Sequence, residues 1–220
     1  MIKNIRIALI YRTAALLIAV SGVLELLNVF HGEFSVGSLY YYTTLSNILV
    51  IVLFVMLLAR TVSGARKAET QSACFFPRFE MVCVIDILLT FGVFWVLLVP
   101  YMNGEMALWT FGNLSVHAIT PLLCLADYIL FKKPQRLKYR DIYYVAIFPI
   151  LYVVFSSIAG LAGHVYFISQ ADGKPVRFPY FFYDFDRIGM TSLVYIAALL
   201  AVFFIIGHVF YLIDKRVKKK

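Results

Sequence analysis

The sequence predicts an all-α integral membrane protein: six transmembrane helices in one bundle, with both termini cytoplasmic. Three observations predict it. Of 220 residues, 62% are hydrophobic and 15% charged, with mean hydropathy +0.86, whereas a soluble domain carries about a quarter charged residues. Stretches apolar enough to cross a bilayer, about 20 residues each, occur at about 7–30, 36–60, 79–100, 109–131, 142–166 and 188–213. The basic residues are also sorted by side. Lys3, Arg6 and Arg12 stand at the start, Arg60, Arg66, Lys67 and Arg78 flank the 60–78 loop, and Lys132, Lys133, Arg136, Lys138 and Arg140 fill the 132–141 loop. With Lys215, Arg216, Lys218, Lys219 and Lys220 in the tail, these are seventeen of the 20 Lys and Arg residues; Lys174, Arg177 and Arg187 fall on the other side. Basic residues stay on the cytoplasmic side of membrane spans, which sets the orientation. The same residues attract anionic lipid headgroups, so the net charge of +8 calls for no nucleic acid partner.

The first span follows Lys3 and Arg6 and contains Ala19-Val20-Ser21-Gly22, which also suits a signal-peptide cleavage site. The apolar stretch nevertheless runs on to Phe30, and cleavage would leave five spans without a reason for the charge pattern. The second span begins in the polar run Tyr40-Tyr41-Tyr42-Thr43-Thr44-Leu45-Ser46-Asn47. The third carries Asp86, at a depth similar to that of Arg12 on the first, and an Arg12–Asp86 ion pair is the economical expectation; half of a proton relay is the alternative. The fourth holds Asn113-Leu114-Ser115-Val116-His117-Ala118-Ile119-Thr120-Pro121. On the fifth, Ser156 and Ser157 read as packing residues and His164 lies outward of centre, as do Glu25 and Asn28 on the first. Between the fifth and sixth spans the outer segment of about 167–187 includes Phe178-Pro179-Tyr180-Phe181-Phe182-Tyr183-Asp184-Phe185-Asp186-Arg187. It reads as an aromatic interface belt whose Asp184 or Asp186 caps the last helix, with a lid as the lesser option. His208 lies at the cytoplasmic end of the sixth span, far from His117, so the two cannot be paired ligands of a haem or metal.

Several chemistries are unsupported. The chain has no nucleophile elbow, phosphate loop, His-Glu-x-x-His or dinucleotide fingerprint. Cys74, Cys83 and Cys124 are odd in number and match no zinc spacing. No cofactor and no metal is expected. Any active site must therefore be assembled from side chains on several membrane helices.

Polar groups inside a bilayer are costly, which makes the second and fourth spans the place to look. With Val36 and Trp109 at the outer interface, Thr44 and His117 each lie eight residues in, about 12 Å deep at ~1.5 Å per residue. On a continuous helix Tyr40, Thr44 and Asn47 share a face, and Asn113, His117, Thr120 and Cys124 form a matching stripe. Pro121 removes the hydrogen bond that would end on the His117 carbonyl, opening space beside the imidazole. A hydroxyl becomes a useful nucleophile when a neighbouring base accepts its proton, and histidine titrates near neutrality. This arrangement predicts Thr44 as nucleophile and His117 as base, with Tyr40, Asn47, Asn113, Glu25 and His164 lining the cavity. Against it stands a plain structural role, since membrane threonines back-bond to their own helix and polar stripes hold helices together.

These runs resemble a known family. Tyr42-Thr43-Thr44-Leu45-Ser46-Asn47 resembles the tyrosine–x–threonine–aromatic–x–asparagine stretch of the androgen-induced-gene family, which includes the androgen-dependent regulator of tissue factor pathway inhibitor. Asn113 to Pro121 is similar to that family's asparagine–x–x–x–histidine stretch, and Gly173 to Gly189 to its region before the last helix. The resemblance implies six membrane helices and hydrolysis of fatty-acid esters of hydroxy fatty acids, with the nucleophile on Thr44 and the histidine on His117. Leu45 replaces the family's aromatic residue, and Thr43 offers a competing hydroxyl. The chain looks more like a bacterial relative than the animal enzymes, which implies a bacterial inner membrane. Two functions follow as expectations: a lipid-ester hydrolase, or a non-catalytic protein that binds or passes a small amphiphile through the same cavity.

Overall fold

Long apolar runs satisfy their backbone groups in lipid only as helices, and helices dominate this chain. The structure, a computed structural model, describes residues 2, 4–66, 76–101, 108–131 and 137–217. Cys74 and the basic residues Lys3, Lys67, Lys132, Lys133, Arg136 and Lys218 to Lys220 lie outside the described residues. Six helices among those described are long and apolar enough to cross a membrane: α1 Ile5–Leu26, α2 Tyr42–Ala65, α3 Pro77–Tyr101, α4 Phe111–Leu130, α5 Tyr139–Leu161 and α6 Thr191–Arg216. The protein is thus an all-α, multi-pass bundle of the membrane type.

Ile2 and the last turns of α6 sit at one end of the bundle. The Ile2 amide donates to the Leu130 carbonyl at the end of α4, and the Leu137 amide, just before α5, donates to Asp214 near the end of α6. At that end Arg78 of α3 bonds the buried Asp141 of α5 at 2.7 Å. Helix α3 is the central element, packing on α2, α4, α6 and the first turns of α5, while α1 packs on α2 and α4. Phe54, Met81, Ile85, Ile87 and Phe203 fill the middle of the core.

This neighbour pattern overturns the expected Arg12–Asp86 pair. Arg12 Nε and Nη2 donate to the two oxygens of Asp127 on α4, at 2.8 and 3.0 Å, and Nη1 donates to Thr61 on α2 at 2.7 Å. Arg12 lies on the helix adjoining α4. Because α1 and α4 run in opposite directions and side chains lean toward helix N-termini, Arg12 and Asp127 lean toward each other from different depths. Asp86, on the central helix, instead accepts from the Tyr42 hydroxyl at 3.2 Å.

Three departures from regular helix shape the opposite end. The second span does not start at residue 36: Val36–Tyr40 is a 3-10 turn, Tyr41 is extended, and α2 begins at Tyr42. Helices α3 and α4 each contain one π-turn, Phe94–Leu98 and Ser115–Ile119. Each π-turn ends two residues before a proline, Pro100 or Pro121, where the missing N–H and the ring's clash with the carbonyl four residues back disfavour a regular turn.

The outer segment is folded rather than laid along the interface. Phe167–Ile168 and Pro175–Val176 pair as a short antiparallel hairpin, and the Arg177 carbonyl rests against Gly160 of α5 where any β-carbon would collide with it. Asp184 caps a single-turn helix, Phe185–Ile188, rather than α6 itself, and Asp186 pairs with Arg177. Phe178, Phe182 and Tyr183 are buried with Phe94 and Leu98 of α3. The expected interface belt is therefore a plug of aromatic side chains over the end of the bundle that holds the α3 and α4 π-turns.

Candidate active site

The polar centre lies where the start of α2 meets the π-turn of α4. Asn113 fixes the chemistry of His117. The Asn113 amide nitrogen donates to the Leu108 carbonyl at 2.9 Å, and a carbonyl can only accept, so the amide oxygen faces the ring. His117 Nδ1 then meets two acceptors, Asn113 Oδ1 at 2.8 Å and the Asn113 carbonyl at 3.1 Å. The proton must sit on Nδ1, which leaves the Nε2 lone pair free to accept. The group facing Nε2, at 3.3 Å, is the hydroxyl of Thr43.

The hydroxyl that faces the imidazole is thus that of Thr43 and not that of Thr44, the expected nucleophile. Thr44 is buried and does not line the cavity that Thr43 borders; His117 does not line it either and reaches it only through Thr43. The break at Tyr41 takes Tyr40 out of the expected Tyr40–Thr44–Asn47 stripe; within α2, Thr43 and Asn47 stand at i and i+4. Asn47 uses it, donating to the Thr43 carbonyl at 2.8 Å and to the Val116 carbonyl on α4 at 3.2 Å. Ser46 Oγ adds a bond to the Thr43 carbonyl and another to Thr90 on α3. Thr43 is thus pinned to α4 next to the residue that precedes His117.

The ring is held on its face as well. Phe94, in the π-turn of α3, stacks on it with centroids 3.6 Å apart and planes 13° apart. The carbonyl of His117, denied its partner by Pro121, accepts from the Trp95 indole at 2.9 Å. The unpaired carbonyl is legible in the sequence from the proline alone; its donor is not, because nothing in the order of residues relates Trp95 to position 117.

Of the other expected cavity residues, Asn47 and Asn113 come to the site and act by holding Thr43 and His117. Tyr40, Glu25 and His164 do not line the cavity. Tyr40 stacks on His164 outside it, with centroids 3.9 Å apart, and lends only its backbone carbonyl to the Tyr152 hydroxyl. Glu25 packs over Gly112 and contacts His31.

Tyr180, read as part of a belt, belongs to the site. Its hydroxyl accepts from the Tyr42 amide at 3.1 Å and lies in hydrogen-bonding contact with Thr43 and Tyr152. Burial pushes the phenol up to about 12, so it remains a hydrogen-bond donor. The amides at the start of α2 are not used within the helix and carry the positive end of its dipole. Thr43 therefore sits between the imidazole and the Tyr180 hydroxyl, which the first amides of α2 hold in place.

A cavity of about 240 Å³ opens from this point. Thr43, Tyr42, Thr90 and Tyr180 are among its walls; most of the lining is apolar, with Val93, Val153 and Leu199. An apolar cavity of about 150 Å³ already accepts a benzene ring, so this one has room for part of a hydrocarbon chain.

No family model, curated protein or solved structure matches the chain, and the reading of the site rests on its geometry.

Proposed function

We propose that the protein is an intramembrane lipid-ester hydrolase with Thr43 as nucleophile and His117 as base. The observation that carries this reading is the Thr43 Oγ1 to His117 Nε2 contact at 3.3 Å, with Nδ1 tied to Asn113 and Thr43 in the wall of an apolar cavity. Hydroxyl, base and orienting group stand in the order that activates a weak nucleophile. Nε2 takes the Thr43 proton as Oγ1 attacks the acyl carbonyl carbon. Collapse of the tetrahedral intermediate breaks the ester C–O bond, and the imidazolium returns the proton to the leaving alcohol. Water, activated by the same nitrogen, then adds to the acyl-threonine and releases the acid and free Thr43. The negative oxygen of each intermediate is stabilised by the Tyr180 hydroxyl. A fluorophosphonate probe tests the assignment: in purified protein the adduct is expected on Thr43, and an adduct on Thr44, or none with lipid esters left intact, overturns it. The second of these outcomes leaves amphiphile binding as the function.

Tyr180→Phe keeps the ring and removes the donor. Its kcat on a lipid ester is expected to fall on the order of 10²-fold, the effect of losing one oxyanion donor, with KM changed much less. Unchanged turnover would remove Tyr180 from the mechanism.

The orientation belongs to the same proposal. Both termini are cytoplasmic by the asymmetry of Lys and Arg, which puts Thr43 in the outer half of the membrane, and the resemblance points to a bacterial inner membrane. Single cysteines introduced in the 218–220 tail should react with an impermeant maleimide only after the cells are opened; labelling of intact cells would reverse the topology.

A further inference from the structure

The cavity is closed toward the outer end of the bundle. Phe178, Phe182 and Tyr183 pack there against Phe94 and Leu98, and Tyr180 sits over Thr43. Its open side lies between α5 and α6. Helix α6 packs on α3, on the first turns of α5 and on the Phe181–Tyr183 turn, but it hardly touches the α-helical stretch Ile147–Leu161. The cavity occupies the space between them. Two of its lining residues, Ile150 and Val154, are also 47% and 51% exposed, so they border both the interior and the outside.

Ile150 lies eleven residues into the 23-residue α5 span, midway along it. An opening there faces hydrocarbon rather than water, since α5 and α6 are both spanning helices. Along α3 the cavity runs from Leu98 to Leu89, nine residues or about 13 Å at ~1.5 Å per residue. It is an apolar slot, bordered by Thr43 and open at its side to the lipid.

We propose that this gap is a lateral portal, and that its occupant is an acyl chain of a membrane lipid, which enters from the bilayer and brings its carbonyl end to Thr43. The role of the carbonyl end rests on the hydrolase reading; the chain site does not. Substrates would then be esters that partition into the membrane, with long-chain esters favoured over water-soluble ones, and no opening to the aqueous phase is needed for the acyl chain.

The test uses the full chain in phosphatidylcholine vesicles that contain a phosphatidylcholine with a diazirine near the end of one acyl chain. After illumination, adducts are mapped by mass spectrometry. Adducts are expected on interior wall residues such as Val153 and Leu199, in the wild type and equally in Thr43→Ala, so the result does not depend on catalysis. Ile150→Trp places an indole in the gap and should lower the interior adducts at least about five-fold, leaving those on the lipid-facing Ile158 and Leu122 unchanged. Val154→Trp serves the same purpose if the first variant does not fold. Adducts confined to lipid-facing residues, or interior adducts indifferent to both tryptophans, would overturn the portal. Interior labelling of a protein without esterase activity would instead retain the portal and defeat only the hydrolase.

Discussion

Thr43→Ala is expected to abolish lipid-ester turnover, while Thr44→Ala retains most of it. The two residues are neighbours in sequence, yet a helix turns by about 100° per residue, and Thr43 alone meets Nε2 of His117. Removing the hydroxyl removes the atom that forms the acyl bond, so no activity should remain beyond the background of the assay. Thr43→Ser should keep part of the rate because the nucleophilic oxygen is preserved. His117→Ala should lose on the order of 10²–10⁴-fold, the usual contribution of a positioned base. Combined with Thr43→Ala it should do little further harm, since groups that act as a unit are not additive. Asn113→Ala frees the imidazole to change tautomer and should fall between these extremes. Turnover by purified variants checks all of them. An inactive Thr44→Ala beside an active, well-folded Thr43→Ala would return the nucleophile to the position expected from the sequence.

The second large effect concerns stability. Arg12 and Asp127 are each 2% exposed and joined by two hydrogen bonds. Arg12→Met or Asp127→Leu alone leaves its partner charged and buried, which should cost about 3–5 kcal/mol. The double variant removes both charges and should recover much of that loss, because replacing a buried ion pair with packed apolar groups is often neutral. Thermal unfolding in detergent, analysed as a double-mutant cycle, measures the coupling. Asp86→Leu provides the contrast: it should be independent of Arg12, since its contact is with the Tyr42 hydroxyl. A strong Arg12–Asp86 coupling, or single variants that melt with the wild type, would contradict this pairing.

The Arg12–Asp86 and Thr44–His117 expectations rest on the same quantity. Depth along a helix is legible from residue counts, and it brought Arg12, Asp86, Thr44 and His117 into consideration. Depth does not say which helices are neighbours, and the choice between Asp86 and Asp127 depends on α1 packing against α4 while α3 holds the centre. Nor does depth say how a helix is turned about its axis: Thr43 and Thr44 lie about 100° apart on α2, and the packing of α2 on α4 turns Thr43 toward the imidazole. The hydropathy of residues 36–41 likewise gives no sign that the chain there is a 3-10 turn followed by an extended tyrosine, which takes Tyr40 out of the helix. The outer segment posed a related problem: an aromatic-rich run is equally suited to a lipid interface or to a buried plug, and only contacts with α3 and α5 distinguish them.

The sequence by itself determined the class of protein and the chemistry available to it. Six long apolar runs have no option in lipid except helices, and the only place where hydroxyls, amides and an imidazole gather within those runs is the second and fourth spans. His117, Asn113 and the unpaired carbonyl created by Pro121 follow from local order and covalent structure. The tertiary structure decided which hydroxyl faces the imidazole, which nitrogen of the ring is free, that Tyr180 and Trp95 come in from remote segments, and that α5 and α6 part to leave a slot beside Thr43. These depend on helix starts, neighbours and rotations, and a shift of one residue in phase moves a side chain by about 100° around its axis.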